Sequence, residues 1–145
     1  MKRELADAIN RQIAGMTVLY EKLHHCHWFV KGPHFHTLHA KFEELYNEAA
    51  EAVDELAERL LAVGESPVST LKRCLELSPV READGGETAE RMVEQLIGDY
   101  GVLRGELAAA IRLADEEGDA VTSDMLTSLA GRMDKHVWML RAFLG

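Results

Sequence analysis

Six of the chain's seven histidines, His24, His25, His27, His34, His36 and His39, fall within one short segment. Imidazole and carboxylate are the side chains that hold iron and zinc, so histidines followed by acids suggest metal chemistry. Asp54 and Glu58, at i and i+4, lie one above the other on a helix and can share a cation. Neither feature decides the matter alone, because most surface histidines are hydrogen-bonded or solvated and most such acidic pairs simply face water. A di-iron centre inside one helical bundle needs two Glu-x-x-His motifs plus a Glu from each remaining helix. The chain has one such motif, Glu21-Lys22-Leu23-His24, and its last histidine, His136, follows Met133 at that spacing. A metal site confined to one bundle is therefore not expected.

The elements that carry these residues read as helices throughout. Apolar residues recur at three- and four-residue steps, and no alternating segment competes. The first helix is expected over about Lys2 to Val30 and ends at Lys31-Gly32-Pro33. The second spans about His34 to Val63, with Gly64 as its C-terminal stop. A third starts near Thr88 and runs to Gly118, and a fourth covers about Thr122 to Phe143. Between the second and third lies Glu65 to Glu87, with a short helix over Ser69–Leu77 and a turn at Asp84-Gly85-Gly86. Short joints make antiparallel neighbours and the long connector crosses the bundle. The fold class is all-α: a four-helix bundle with a short helix in its crossover.

On the second helix, Leu38, Phe42, Leu45, Ala49, Ala52, Leu56, Leu60 and Val63 share a core stripe. Lys41, Glu44, Glu48, Glu51, Glu55 and Arg59 form a charged flank expected to meet water. A third face mixes His36, His39, Ala40, Glu43, Asn47, Ala50, Asp54, Ala57, Glu58 and Leu61. It reads equally as an ordinary exposed face or as a surface for a second subunit. His39 and Asp54 are fifteen residues apart, roughly 22 Å along a helix, so they cannot bind one ion within one chain. If two copies of this helix paired antiparallel near Asn47, His39 of one would approach Asp54 and Glu58 of the other. His27, just before the turn, would fold back beside His39.

The chain's 145 residues suit one domain, and burying roughly 70% of the unfolded surface is enough for a true core. A formal charge of -9 argues against binding nucleic-acid phosphates. No apolar run is long enough to span a bilayer, and Met1–Asn10 is too charged for a signal peptide. Cys26 and Cys74 form no CxxC pair, so a cytoplasmic location is expected.

At these residues the chain resembles the Dps-family miniferritins, of the branch lacking a basic DNA-binding tail. His27-Trp28-Phe29-Val30-Lys31-Gly32-Pro33, then Phe35, Leu38-His39 and Phe42-Glu43, is similar to one family motif. Asp54-Glu55-Leu56-Ala57-Glu58-Arg59 is similar to another, and the likeness continues through Ser66-Pro67 to Asp134-Lys135-His136-Val137-Trp138. The resemblance implies one ferritin-like domain over residues 1–145 and a hollow dodecamer with ferroxidase sites at its two-fold interfaces. It implies that His27, His39, Asp54 and Glu58 bind iron, oxidise Fe(II), preferably with hydrogen peroxide but also with O2, and that Fe(III) mineral is stored inside. Trp28 is then a candidate electron donor, with interface packing as its other role. Glu43 is a possible second-site ligand, although the family often has Asp there. Asp115 and Asp124 match acids that line three-fold pores, whereas a third pore acid is replaced by Ala120 unless Glu116, Glu117 or Asp119 compensates.

The alternatives are a DNA-compacting protein, or a structural oligomer whose site is degenerate or holds zinc. DNA binding is not expected, since only Lys2 and Arg3 precede the first helix. His24, His25, His34 and His36 carry no assigned chemistry, and Cys26 reads as a small packing residue.

Overall fold

Leucine, isoleucine and methionine at helical spacing can leave water only if their stripes face one another, and four long helices do this here. The computed structural model describes residues 1–145 and contains α1 (Arg3–Phe29), α2 (Phe35–Ala62), α3 (Leu71–Leu77), α4 (Ala89–Glu117) and α5 (Ala120–Leu144). Leu5, Ile9, Ile13, Leu19 and Leu23 of α1 pack with Leu38, Phe42 and Leu45 of α2. Met92, Leu96 and Leu103 of α4, with Leu126 and Met133 of α5, complete the same core. Contacts at matching heights make each neighbouring pair antiparallel: His27 with His39, Gln12 with Leu103, Arg104 with Asp134, and Arg59 with Thr122. It follows that α2 and α4 run the same way, which requires the long crossover between them.

The helix ends differ from the expected bounds by a residue or two, each for a local reason. The Thr70 hydroxyl accepts the Arg73 N–H, so α3 begins at Leu71 rather than Ser69. Thr88 caps α4 in the same manner. Asp119 accepts the Thr122 N–H at 3.0 Å and starts α5 at Ala120, two residues before the apolar pattern becomes clear. At the joint between α1 and α2, Gly32 has φ +107°, a conformation that side-chain-bearing residues rarely adopt.

Helix α1 also holds the crossover in place. Asn10 accepts the Val68 N–H and donates to the Ser66 carbonyl. Buried Lys22 pairs with Asp99 of α4 at 2.8 Å and donates to the Arg81 carbonyl at 2.9 Å. Burial raises the Asp99 pKa, against the lowering effect of Lys22. His25 meets Glu87 at 3.1 Å.

The charged flank of α2 does not simply meet water. Lys41, Glu48 and Arg59 are half-buried because α5 packs against that side. Glu48 pairs with Arg132 at 2.9 Å and with buried His136, and Arg59 pairs with Asp119. Glu44, Glu51 and Glu55 remain exposed.

Candidate metal centre

The turn at Gly32 returns the chain so that the last turns of α1 lie beside the first turns of α2. His27 and His39 stack there with ring centroids 3.6 Å apart and planes 14° from parallel. Nδ1 of His27 donates to the His39 carbonyl and Nδ1 of His39 donates to the His27 carbonyl, both at 2.7 Å. A carbonyl can only accept, so each Nδ1 carries the proton. In the neutral ring each Nε2 is then left with a free lone pair. Phe35 stacks on His39 at 4.9 Å, and Tyr46 stands edge-on to His27 at 5.3 Å. The two near-parallel imidazoles, with their tautomers fixed, are thus held as a pair of nitrogen donors in one place.

The carboxylates lie elsewhere on the helix. Asp54 and Glu58 are exposed on α2 and have no hydrogen-bond or ion-pair partner. Asp54 borders a shallow groove with Thr17 and Tyr20 of α1 and Ala50 and Ala57 of α2. Within one chain no three His, Cys, Asp or Glu side chains converge. The structure thus brings His27 and His39 together and leaves Asp54 and Glu58 apart from them, on the mixed face of the same helix.

The remaining candidates divide by their contacts. Trp28 is 61% exposed, its ring 5.1 Å from that of His24, and its indole N–H donates to no acceptor. The Glu43 carboxylate accepts the Tyr46 hydroxyl at 3.3 Å. Burial, and then Glu43, raise the Tyr46 pKa. Asp115 accepts the Ser123 hydroxyl at 2.6 Å across the α4–α5 turn, and Asp124 is exposed. Of the acids around Ala120, Glu117 is engaged by the Lys2 N–H and Asp119 by Thr122 and Arg59. Glu116 is exposed.

The histidines without assigned chemistry are mostly ordinary. His24 bonds the Tyr20 carbonyl through Nδ1, His25 pairs with Glu87, and His34 and His36 are exposed. Two features escaped the sequence reading. One is the pairing of Glu48 with buried His136, whose other ring nitrogen, the buried Nδ1, has no partner. The other is Tyr46, which stacks on His24 with centroids 3.8 Å apart. Its position two turns beyond His39 was the available signal.

Comparison with known proteins matches residues 6–145 to the ferritin-like domain family. General stress protein 20U of Bacillus subtilis is 52% identical over 145 residues, covering all of both chains. DNA protection during starvation protein 2 of Bacillus anthracis is 49% identical over 144 residues and covers 99% of each. The crystal structure of Dps from Staphylococcus aureus superposes with a TM-score of 0.97 at 50% identity, covering 99% of this chain and 97% of that one.

Proposed function

Because the chain belongs to the Dps branch of the ferritin-like domain family, we propose that it oxidises Fe(II) at sites shared between two subunits. The ferric product is stored as mineral inside a hollow dodecamer. The family's common work is iron storage and protection against oxidative stress. The observation that carries the reading is the reciprocal bonding of His27 and His39, which leaves two Nε2 lone pairs unused in one place.

Iron is the substrate. Two copies of α2 packed antiparallel set the two imidazoles of one chain against Asp54 and Glu58 of the other. Imidazole suits Fe(II), while carboxylate favours the harder Fe(III), so the mixed set promotes oxidation and release. Two Fe(II) ions and one hydrogen peroxide, with two protons, give two Fe(III) and two waters; O2 serves as the slower oxidant. The Nδ1–H bonds keep each imidazole oriented while iron enters and leaves. Zinc suits the same four ligands and competes with iron. Asp115 and Asp124 line the entry route. Residues 1–145 act as one domain, and two free buried cysteines suit the cytoplasm.

Protection of DNA follows in this reading from consuming iron and peroxide. A chain of net charge -9 has little attraction for phosphate, so direct DNA binding is not part of it.

Asp54→Asn combined with Glu58→Gln tests the site. Both residues are exposed, so the shell should assemble, with light scattering giving a mass near that of twelve protomers. Peroxide-driven Fe(II) oxidation, followed by ferric absorbance after anaerobic loading, should slow by about 100-fold, the cost of removing essential catalytic groups. Unchanged oxidation kinetics in an intact shell would remove both carboxylates from the site.

A further inference from the structure

Where a di-iron bundle carries Glu-x-x-His, α5 carries Met133-Asp134-Lys135-His136. Replacing the carboxylate by a thioether exchanges a hard donor for a soft one, and soft donors select a different metal. Met133 is 1% exposed and His136 5%, and at i and i+3 they share one face of the helix. Both line a small cavity inside the bundle, of about 10 Å³, which is room for one water-sized sphere. Met16, 2% exposed, lines the same cavity from α1.

His136 is prepared as a ligand. Its Nε2 meets the Glu48 carboxylate, which can only accept, so Nε2 carries the proton and Nδ1 keeps its lone pair. That Nδ1 is buried and has no partner. A carboxylate on the far nitrogen is the arrangement that orients a metal-binding imidazole and raises its basicity. Arg132 pairs with the other Glu48 oxygen at 2.9 Å, so both carboxylate oxygens are already engaged. Burial, and then the Glu48 charge, raise the Tyr100 pKa, which keeps the hydroxyl on this wall a neutral phenol. The cavity thus offers one imidazole nitrogen and two thioether sulfurs, with no free anionic oxygen.

Neutral soft donors suit a soft cation of single charge. Fe(II) or Zn(II) would bring two charges into an apolar core and need anionic donors to offset the lost hydration. Water is the other small occupant, but it needs two to four polar partners, and thioether sulfur is a weak acceptor.

We propose that Met16, Met133 and Nδ1 of His136 bind one cuprous ion inside the bundle, with Glu48 positioning the imidazole. The ion enters beside Arg132, whose side chain lines the cavity and is 39% exposed. Binding changes no oxidation state and needs no co-reactant. It uses none of His27, His39, Asp54 and Glu58, and it stands whether or not those residues oxidise iron.

The test uses the assembled apoprotein, isotopically labelled at its methionine methyl carbons and titrated anaerobically with Cu(I) held by the competing chelator bicinchoninate. Among the six methionines, the methyl resonances of Met16 and Met133 should move, saturating at one ion per chain. Met16→Leu and Met133→Leu conserve volume, so helical content by circular dichroism should stay unchanged. Each removes a ligand and should weaken Cu(I) binding by at least about 10-fold, the smallest loss typical even of an outer partner. Glu48→Gln keeps an acceptor on Nε2 without its charge and should weaken binding by about 10-fold. Cys26 and Cys74 are competing sulfur donors, so the titration is repeated in Cys26→Ala, Cys74→Ala, where the two methyl shifts should persist.

Unchanged affinity in both methionine variants would overturn the assignment, as would shifts confined to other methionines or abolished with the cysteines. A cavity that holds only water, with no methyl shift when Cu(I) exceeds the chelator, also overturns it.

Discussion

Imidazole competes poorly for a metal while its proton is free to move between nitrogens. The paired bonds of His27 and His39 remove that freedom by using each residue's own backbone as the other's acceptor. Cys26, the residue beside His27, has the opposite fate. It is 2% exposed, and burial together with the Glu87 charge pushes its thiol up to about 12 despite nearby Lys22. Thiolate, the form that attacks peroxide, is then scarce at neutral pH. After repeated cycles of iron and peroxide, peptide mass analysis should find Cys26 unoxidised. It should react with iodoacetamide only after unfolding. Sulfenic or sulfinic acid at Cys26 in folded protein would bring it into the redox chemistry.

Helix α2 is the element that connects the separate tasks, because its faces meet different partners. The mixed face carries the proposed ligands, the core stripe packs the bundle, and the flank toward α5 ends in Arg59, which holds the start of that helix. Burial alone would raise the Asp119 pKa. Hydrogen bonds from the Thr122 hydroxyl and N–H, and the Arg59 charge, outweigh that and hold it below the usual value. A lowered folded pKa gives stability that is present above the ordinary Asp value, about 3.9, and is lost as pH falls through the folded one. Asp119→Asn keeps a capping oxygen but cannot ionise. Its thermal midpoint should therefore fall less than that of wild type between about pH 5 and pH 3. Parallel losses in the two proteins would show that the Asp119 charge contributes nothing.

Much of this element was legible beforehand: the core stripe from Leu38 to Leu60 emerged from periodicity alone, and Gly64 marked the end. The partners of Glu48 and Arg59 were not legible, since a helical wheel assigns a direction but not the residue waiting there. The stacking of His27 on His39 was suggested by their places on either side of Gly32-Pro33. The two carbonyl bonds that fix their tautomers depend on the depth of the turn, which spacing does not encode.

The whole molecule leaves several large apolar side chains uncovered. Trp28 and Phe29 at the end of α1, Leu61 on α2, and Leu71 and Leu75 on α3 are all more than half exposed. Apolar area covered by a second copy contributes roughly 25 cal/mol per Å², which such an acidic chain needs to offset repulsion between its copies. Leu61 is the most informative of these residues. It follows Glu58 by three positions on the mixed face, is 62% exposed, and belongs to no core cluster. Leu61→Asp should leave the helical content of the protomer intact by circular dichroism, because the side chain supports nothing within its own chain. An unpaired charge desolvated in a subunit contact is strongly unfavourable, so light scattering should show dissociation into protomers at micromolar concentration. Those protomers would still contain His27, His39, Asp54 and Glu58, yet rapid peroxide-driven oxidation should be lost, because no chain can bring its carboxylates to its own imidazoles across about 22 Å of helix. Dissociated protomers that oxidised iron at the wild-type rate would show that a single chain holds a complete site. An intact, fully active shell would place Leu61 outside the contact and require the pairing of α2 helices to be redrawn.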